Sequence, residues 1–103
     1  MIKRDETRVV VIAHFTAKEG KEQELLSALH ALMGPTRQET GCIRYELNQD
    51  VSNPRTFSFV EKFADQSAFE AHKSMPYINT LFSDIIPNLV ESEAISLHKE
   101  ILL

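Results

Sequence analysis

A chain of 103 residues, 43% of them hydrophobic, with a formal net charge of −4, has the length and composition of one globular domain. No run of basic residues indicates a nucleic-acid-binding surface, and no apolar stretch approaches the ~20 residues that span a membrane. The only cysteine, Cys42, cannot form an internal disulfide, and the residues after Met1 do not form a signal-peptide core. We therefore expect a cytoplasmic protein that binds neither nucleic acid nor membrane.

The first half of the chain carries a strand signal, a helix signal and a second strand signal. Val9 to Phe15 is β-branched and apolar at both odd and even positions, as in a strand covered on both faces. Apolar residues then recur at helical spacing from Leu25 to Met33, and Gly34-Pro35 is expected to kink that helix. Thr40-Gly41 is expected to end it. Polar and apolar residues alternate from Cys42 to Asn48, which indicates the second strand.

The second half continues with a turn, a strand, two helical segments and a last strand. Turn residues at 51–54 precede an alternating strand from Phe57 to Phe63, so a hairpin is predicted. Asp65 is predicted to cap the next helix. Pro76 fits the first turn of a further helix, whose apolar residues recur at helical spacing to Leu89. The last strand is predicted from Ile95 to Ile101.

The predicted order of elements, βαββαβ, indicates an α+β fold of the ferredoxin-like type with one antiparallel sheet. Residues 1–103 form one domain with a core at about residues 9–97, and residues 1–7 are expected to be a loose N-terminal segment. The helices would cover one face of the sheet. Because the first strand is apolar at both parities, the other face also needs a cover, and a second copy of the sheet would supply it. We therefore expect a homodimer.

Four pieces of the chain resemble the antibiotic-biosynthesis-monooxygenase domain family, in the same order and spacing, over roughly residues 9–97. These pieces are Val10-Val11-Ile12-Ala13, Gly20-Lys21-Glu22, Gly41-Cys42-Ile43-Arg44-Tyr45-Glu46-Leu47, and the stretch 57–63 followed by Phe69-Glu70-Ala71-His72. The resemblance implies a dimeric α+β barrel. It also implies an enzyme that oxygenates quinols or polyketide phenols without metal or organic cofactor, so no cofactor is expected. Related proteins isomerise small signalling molecules or degrade haem.

Two positions depart from the family pattern. The family often has a tryptophan where Phe63 stands, and its haem-degrading branch needs one, whereas this chain has no tryptophan. Many members also carry a second histidine in a Pro-His-Phe context, where this chain reads Pro76-Tyr77-Ile78. The first departure argues against haem degradation. The second makes Tyr77 the residue that would take the place of that histidine.

His72 is the strongest candidate for a catalytic residue. It shares a helical stripe with Ala68, Phe69 and Met75, so its imidazole is expected to point into the interior between helix and sheet. A neutral imidazole can accept or hold a phenolic proton near neutral pH. The alternative is a core histidine whose ring is satisfied by a carbonyl group.

Glu61 is the second candidate, because it lies on the same strand face as Phe57, Phe59 and Phe63. A carboxylate there is costly unless it is paired or hydrogen-bonded, so Glu61 would orient His72, accept a structural hydrogen bond, or have a raised pKa in a pocket. Aromatic side chains would line such a pocket for a flat ring substrate. The substrate-binding candidates are Tyr45, Phe59, Phe63, Tyr77 and Phe82, and the alternative is that most of them are simply core.

A metal site is not indicated. His14 and His98 fall on strands that would be neighbours, where a histidine pair with a carboxylate could bind a metal. No ligand spacing supports such a site, and solvated strand positions are the simpler interpretation. Cys42 is expected to be an inert, half-buried thiol.

The leading hypothesis is a cofactor-independent monooxygenase of a small electron-rich aromatic such as a quinol, with His72 as base and Glu61 as its orienter. One alternative is an isomerase of a small oxygenated metabolite on the same scaffold. Another is a non-catalytic dimeric binding or stress protein. A closed cavity of a few hundred Å³ in contact with His72 would favour an enzyme.

Overall fold

A four-stranded antiparallel sheet organises the chain. The computed structural model describes residues 1–103, and its strands are β1 (Val9–Ala17), β2 (Cys42–Gln49), β3 (Thr56–Phe63) and β4 (Val90–His98). They lie in the order β2-β3-β1-β4, and every neighbouring pair is antiparallel. The first and last strands are therefore neighbours, as in a split βαβ unit. The predicted α+β, ferredoxin-like fold with one antiparallel sheet is confirmed.

Two groups of helices connect the strands. The first group joins β1 to β2 and consists of α1 (Glu22–His30) and α2 (Met33–Arg37). The second group joins β3 to β4 and consists of α3 (Gln66–Lys73), α4 (Pro76–Thr80), a π-helical turn (Leu81–Ile85) and α5 (Ile86–Leu89). Their apolar residues face the side of the sheet on which the core lies.

The caps of the second group agree with the sequence prediction. The Asp65 carboxylate accepts a hydrogen bond from the backbone N–H of Ala68 at 2.8 Å, which satisfies one of the free donors at the start of α3. Pro76 is the first residue of α4, where its missing N–H costs nothing. Pro87 lies near the start of α5 and cannot donate to the preceding turn, which is π-helical.

The last strand begins earlier than predicted. The prediction placed its start at Ile95, but β4 begins at Val90, where the backbone becomes extended directly after α5. Its first half, Glu91 to Ala94, is polar or small because β4 is an edge strand whose residues after Val90 are all exposed. Alternation of hydrophobic residues is therefore absent from the stretch that the prediction missed.

The first helix also ends earlier than predicted. It breaks between His30 and Met33, and Pro35 lies in the first turn of α2 rather than at a kink. The short α2 ends at Arg37, so Thr40-Gly41 is not its C-terminal stop. Gly20, with a φ of 81°, is the one residue with a positive φ. Gly41 therefore does not adopt the left-handed conformation that ends helices.

Gly41 is instead a point of close packing. A Cβ atom at this position would lie 2.2 Å from the Cβ of Ala68 on α3. The carbonyl of Gly41 also accepts a hydrogen bond from the backbone N–H of Ala64 at 2.8 Å. Glycine thus lets α3 pack directly against the start of β2.

The hydrophobic core lies between the helices and one face of the sheet. Alternate residues of β1 from Val9 to Ala17 are buried on this face, as are those of β3 from Phe57 to Phe63. Leu25 and Leu29 of α1 cover them from above, and both are fully buried. This alternation is the two-residue period of a strand, which the sequence predicted for β3, whereas β1 is apolar at both parities and was expected to be covered on both faces.

The opposite face of the sheet has no cover within the chain. Val10, Ile12 and Val60 lie there half-buried, and the exposed His14 ring forms a hydrogen bond of 2.6 Å with the Ser58 hydroxyl. A single copy of the fold thus leaves this face to solvent.

The two ends of the chain pair with each other beyond the sheet. Arg4 and Ile101 form an isolated antiparallel bridge, and the backbone N–H of Asp5 donates to the carbonyl of Glu100 at 2.8 Å. None of the helices is both long enough and apolar enough to cross a membrane.

Candidate active site

Strand β3 and helix α3 bring the two predicted catalytic residues together. Glu61 lies on the buried face of β3 between Phe59 and Phe63. The chain then turns into α3, which Asp65 caps, and His72 follows two helical turns later. Phe69 and His72 are the buried residues of α3, so the imidazole faces the sheet and lies near the carboxyl of Glu61. The predicted burial of His72 on this stripe is therefore observed.

His72 forms its hydrogen bond with Glu39, a residue that the sequence analysis did not single out. The Nδ1 atom of His72 lies 3.0 Å from Oε2 and 3.2 Å from Oε1 of Glu39. The exposed fractions of the two side chains are 6% and 7%. Glu39 thus makes the orienting contact that was expected of Glu61. It precedes β2 in a polar stretch without periodicity, so no sequence pattern marks it as buried.

Tyr77 completes this contact from the other side. Its hydroxyl donates a hydrogen bond to Oε2 of Glu39. Burial raises the pKa of Tyr77, and the hydrogen bond to Glu39 adds to the rise. Tyr77 is therefore a neutral donor at any physiological pH. The hydroxyl is directed to Glu39, and the contact of Tyr77 with a substrate stays a prediction.

Glu61 faces the other nitrogen of the His72 ring. Its Oε1 lies 3.8 Å from Nε2, too far for a direct hydrogen bond. Burial raises the pKa of Glu61 to about 8, and the negative charge of Glu39 adds to the rise. At neutral pH the Glu61 carboxyl is therefore mostly protonated and can donate a hydrogen bond. His72 stands between two carboxyl groups with opposite hydrogen-bonding roles.

Aromatic rings fix the position of the imidazole. The Phe63 ring lies 4.7 Å from the His72 ring at an angle of 34°, and Tyr45 meets it edge-on at 5.7 Å. Tyr45 in turn stacks on Phe59 with ring centres 4.6 Å apart. Because Phe63 also packs against Phe69, its ring supports His72 from the core side.

His72 and Glu61 both line a small, mostly hydrophobic cavity, which we call the inner pocket. Its volume is about 120 Å³. The predicted substrate-binding residues Tyr45, Phe59 and Phe82 line it, whereas Phe63 and Tyr77 do not. The cavity contacts His72, but it is partly open and is smaller than the closed cavity of a few hundred Å³ that would favour an enzyme. It matches the size of a single aromatic ring, since a 150 Å³ protein cavity holds benzene.

A second cavity lies on the far side of the Glu39–His72 pair. This outer groove is open, has a volume of about 700 Å³, and is lined by residues that include Gln38, Glu39, Ala68, Met75 and Tyr77. Glu39 thus borders the outer groove, while His72 and Glu61 border the inner pocket. The hydrogen bond between Glu39 and His72 therefore links a residue of the outer groove to a residue of the inner pocket.

A buried hydroxyl next to this cluster was also missed by the sequence analysis. Thr36 is completely buried, and its Oγ1 has no hydrogen-bond partner. The hydroxyl nevertheless lies close to the phenols of Tyr45 and Tyr77 and opposes the rise in the pKa of each. Burial outweighs this effect, so the pKa of both tyrosines is raised.

The remaining histidines do not form a site. In the β1–β4 register His14 is opposite Ala94 and His98 is opposite Val10, so the two rings are not partners. No group of three or more His, Cys, Asp or Glu residues is arranged to hold a metal ion. Burial raises the pKa of the Cys42 thiol, and the charges of Glu39 and Glu61 add to the rise, so Cys42 stays a protonated thiol.

Comparison with solved structures identifies close relatives of the whole fold. Protein SO0527 from Shewanella oneidensis is 40% identical and superposes with a TM-score of 0.98 over 100% of both chains. PA3566 from Pseudomonas aeruginosa is 30% identical, with a TM-score of 0.88 over 94% of this chain and 97% of that one.

Related sequences include a putative monooxygenase and an isomerase, and a family profile matches most of the chain. Putative monooxygenase YcnE from Bacillus subtilis is 33% identical over 62% of this chain and 67% of its own length. An isomerase of (4S)-4-hydroxy-5-phosphonooxypentane-2,3-dione from Yersinia enterocolitica is 29% identical over 66% of this chain and 71% of its own. The aligned part of the chain spans 63% to 71% of the length of the curated relatives it matches. The sequence profile of the antibiotic biosynthesis monooxygenase family matches residues 8–82, so the chain belongs to that family.

Proposed function

We propose that this protein is a monooxygenase of a small, uncharged, single-ring hydroquinone or phenol, and that it needs no metal or organic cofactor. One observation carries the proposal: Nε2 of His72, which has no hydrogen-bond partner in the chain, and the Glu61 carboxyl, whose pKa burial raises to about 8, border the same mostly apolar, ring-sized pocket. The family and the relative named as a putative monooxygenase support the reaction class.

The substrate supplies the electrons in this chemistry. His72 Nε2 takes the proton of a ring hydroxyl, and the resulting phenolate is a far better electron donor to oxygen than the phenol. Oxygen then adds to the ring, and the peroxide loses water. A hydroquinone gives up four electrons in becoming a hydroxyquinone, and O₂ accepts four, since one oxygen atom enters the product and the other leaves as water. The proton held by His72 is returned to that water.

Glu61 stabilises the charge that develops on the substrate oxygen. An oxygen atom beside the 3.8 Å gap can lie within about 2.8 Å of both Nε2 of His72 and the carboxyl of Glu61. The neutral carboxyl would then donate a hydrogen bond to the phenolate in a site with little water, where such a bond is strong. A charged Glu61 would repel the phenolate.

The size and lining of the inner pocket define the substrate class. Its volume of about 120 Å³ accepts one ring and excludes the fused rings of a polycyclic phenol. Apart from His72, the one cationic side chain that lines it belongs to Lys73, which forms an ion pair of 3.0 Å with Glu70. A phosphate group would therefore find little charge compensation there.

An isomerase of a small ketone is the second candidate. A base opposite a neutral acid is also what enolisation requires, since the base removes a carbon-bound proton while the acid donates to the carbonyl oxygen. The relative named as an isomerase acts on a phosphorylated dione. The apolar lining of the inner pocket favours an unphosphorylated substrate for this chain.

A non-catalytic role is disfavoured by the composition of the site. Two carboxyl groups and an imidazole are nearly withdrawn from water, with side chains 6% to 7% exposed. Burying such groups reduces stability unless every one is satisfied, and apolar residues of similar size would serve a core better.

Oxygen uptake tests the proposal directly. Purified protein is given single-ring hydroquinones, and two-ring and three-ring quinols as size controls, with autoxidation subtracted. We expect uptake with the single-ring compounds, no change on adding a chelator, and loss of uptake in His72→Ala. Glu70→Gln, which alters an exposed carboxylate on the same helix, is the matched control. Isomerisation of a hydroxy-ketone under nitrogen, without oxygen uptake from any hydroquinone, would establish the second candidate instead.

A further inference from the structure

The two carboxyl groups that flank His72 differ in their hydrogen bonds and in the cavity that each one borders. Glu61 lines the inner pocket, whose surface is almost entirely apolar. Glu39 lines the outer groove and accepts hydrogen bonds from the Tyr77 hydroxyl and from Nδ1 of His72. Hydrogen bonds donated to a carboxylate favour its charged form, whereas burial without them favours the neutral acid. The ring of His72 is therefore polarised from one side.

The direction of this polarisation decides which nitrogen can act as a base. A neutral imidazole carries one proton, and the nitrogen that carries it is set by the hydrogen bond at that nitrogen. The carboxylate of Glu39 can only accept, so the proton belongs on Nδ1, 3.0 Å away. The lone pair is then on Nε2, which faces Glu61 and the inner pocket.

Taking up a substrate proton makes the ring an imidazolium with little exposure to water. A cation whose side chain is 6% exposed is costly unless a counter-charge lies beside it. Glu61 cannot supply that charge while it is protonated, and no other carboxyl group contacts the ring. Glu39 is the counter-charge in hydrogen-bond contact.

We propose that Glu39 is a positioning residue, which fixes His72 in the Nδ1–H tautomer and pairs with the imidazolium that forms during the reaction. The proposal rests on His72 acting as the base of the proposed function, for either oxygenation or isomerisation. Tyr77 acts through Glu39, because its hydroxyl holds the carboxylate in place.

The tautomer can be tested without any substrate. Long-range proton–nitrogen correlation on ¹⁵N-labelled protein distinguishes a protonated ring nitrogen from a bare one. We expect His72 to carry its proton on Nδ1 in the wild type, and to lose this preference in Glu39→Ala. His14, His30 and His98 serve as internal controls, and Glu70→Ala as the matched variant. A wild-type His72 ring protonated on Nε2 and bare on Nδ1 would overturn the proposal.

Kinetics test the second part. Glu39→Ala should lower kcat by about 10–10⁴-fold, the upper figure being the cost of replacing the carboxylate that orients the catalytic imidazole of a Ser-His-Asp triad, with little change in KM. Because the space vacated by Glu39 opens onto the outer groove, formate should restore part of kcat in a saturable way. Glu39→Gln keeps an acceptor oxygen without the charge, so it should keep the tautomer yet lose kcat. A kcat for Glu39→Gln equal to that of wild type would remove the counter-charge role.

The two proposals can fail separately. If the tautomer is as expected but no hydroquinone supports oxygen uptake and no ketone is isomerised, the proposed function is wrong and the positioning of His72 by Glu39 stands. If oxygen uptake depends on His72 but the ring carries its proton on Nε2 in the free protein, the function stands and the role of Glu39 is wrong.

Discussion

The imidazole of His72 and the carboxyl of Glu61 face each other at 3.8 Å, Nε2 to Oε1, inside the protein and without a hydrogen bond. Two groups so placed would normally pair, and here the imidazole is held away by its other contacts. His72 is held by Glu39 on its opposite nitrogen and by the ring of Phe63. A gap between a base and an acid that face one small pocket is a suitable place for a substrate oxygen.

The burial of Glu61 should make the protein less stable as pH rises. The pKa of Glu61 is about 8 in the folded state against 4.5 for a free glutamate, so the folded state binds this proton more tightly. The proton on Glu61 therefore stabilises the folded state, and this stabilisation is fully present below pH 4.5. Between pH 4.5 and 8 the free energy of unfolding falls by up to about 1.4 kcal/mol per pH unit. Urea denaturation at pH 5, 6, 7 and 8 and one protein concentration measures it.

Glu61→Gln should remove this slope, because the amide does not titrate. Glu70→Gln, in which the exposed carboxylate is changed instead, should keep it. A wild-type protein as stable at pH 8 as at pH 5 would show that Glu61 is not held neutral by the fold.

The fold and two members of the site could be predicted from the sequence, and the reason is periodicity. Glu61 stands among Phe57, Phe59 and Phe63 at strand spacing, and His72 follows Phe69 at helical spacing, so both were expected inside. Glu39 lies in an irregular stretch where neighbouring residues do not reveal which way a side chain points. Its burial results from a long-range contact, 33 residues along the chain from His72, that local patterns do not encode.

The packing role of Gly41 could not be predicted from the sequence for a related reason. A glycine after a helical stretch suggests a left-handed helix end, and that interpretation considers only the local backbone. The glycine is required by Ala68, which approaches it from α3 after the intervening hairpin. The same limit applies to β4, whose polar first half carries no alternation because the strand is at the sheet edge.

Gly41→Ala should destabilise the fold and displace the helix that carries His72. The added Cβ would lie 2.2 Å from the Cβ of Ala68 and 3.4 Å from its Cα, so backbone must move. Overpacking of this kind costs about 1–3 kcal/mol, which thermal or urea denaturation resolves. Gly34→Ala is the control, since nothing lies within 4 Å of the Cβ it would add.

A double variant isolates the contact. Ala68→Gly removes the atom that Gly41→Ala would meet, so Gly41→Ala should cost less in the Ala68→Gly background than in wild type. Equal costs in the two backgrounds would mean that the destabilisation arises from the backbone of Gly41 and not from its contact with α3.

We propose that the open face of the sheet is covered by a second copy of the chain. Val10, Ile12 and Val60 make that face partly apolar. On the opposite face, which carries the helices, Ile95 and Leu97 of the edge strand β4 are 45% and 56% exposed. Light scattering at micromolar concentration should therefore give twice the chain mass. Replacing Ile12 with Lys should produce monomers, because it places a charge in the centre of the face. A wild-type monomer that is stable across this concentration range would contradict the proposal.

The pH dependence of turnover should have an alkaline limb that belongs to Glu61. The acid donates a hydrogen bond only while it is protonated, and its pKa is about 8, so kcat/KM for a hydroquinone should fall as pH rises through that value. Oxygen uptake measured between pH 5 and 9.5, with autoxidation subtracted at each pH, gives the profile.

Substitutions at Glu61 and His72 test which group gives this profile. Glu61→Gln keeps a neutral hydrogen-bond donor, so the alkaline limb should disappear while the activity at pH 7 is largely kept. His72→Ala should lower kcat/KM by about 10²–10⁴-fold, the range ascribed to a general base. If the alkaline limb is unchanged in Glu61→Gln, the titrating group is another one, and Glu61 serves the fold instead of the reaction. If His72→Gln, which cannot take up a proton, is as active as wild type, His72 only positions the substrate.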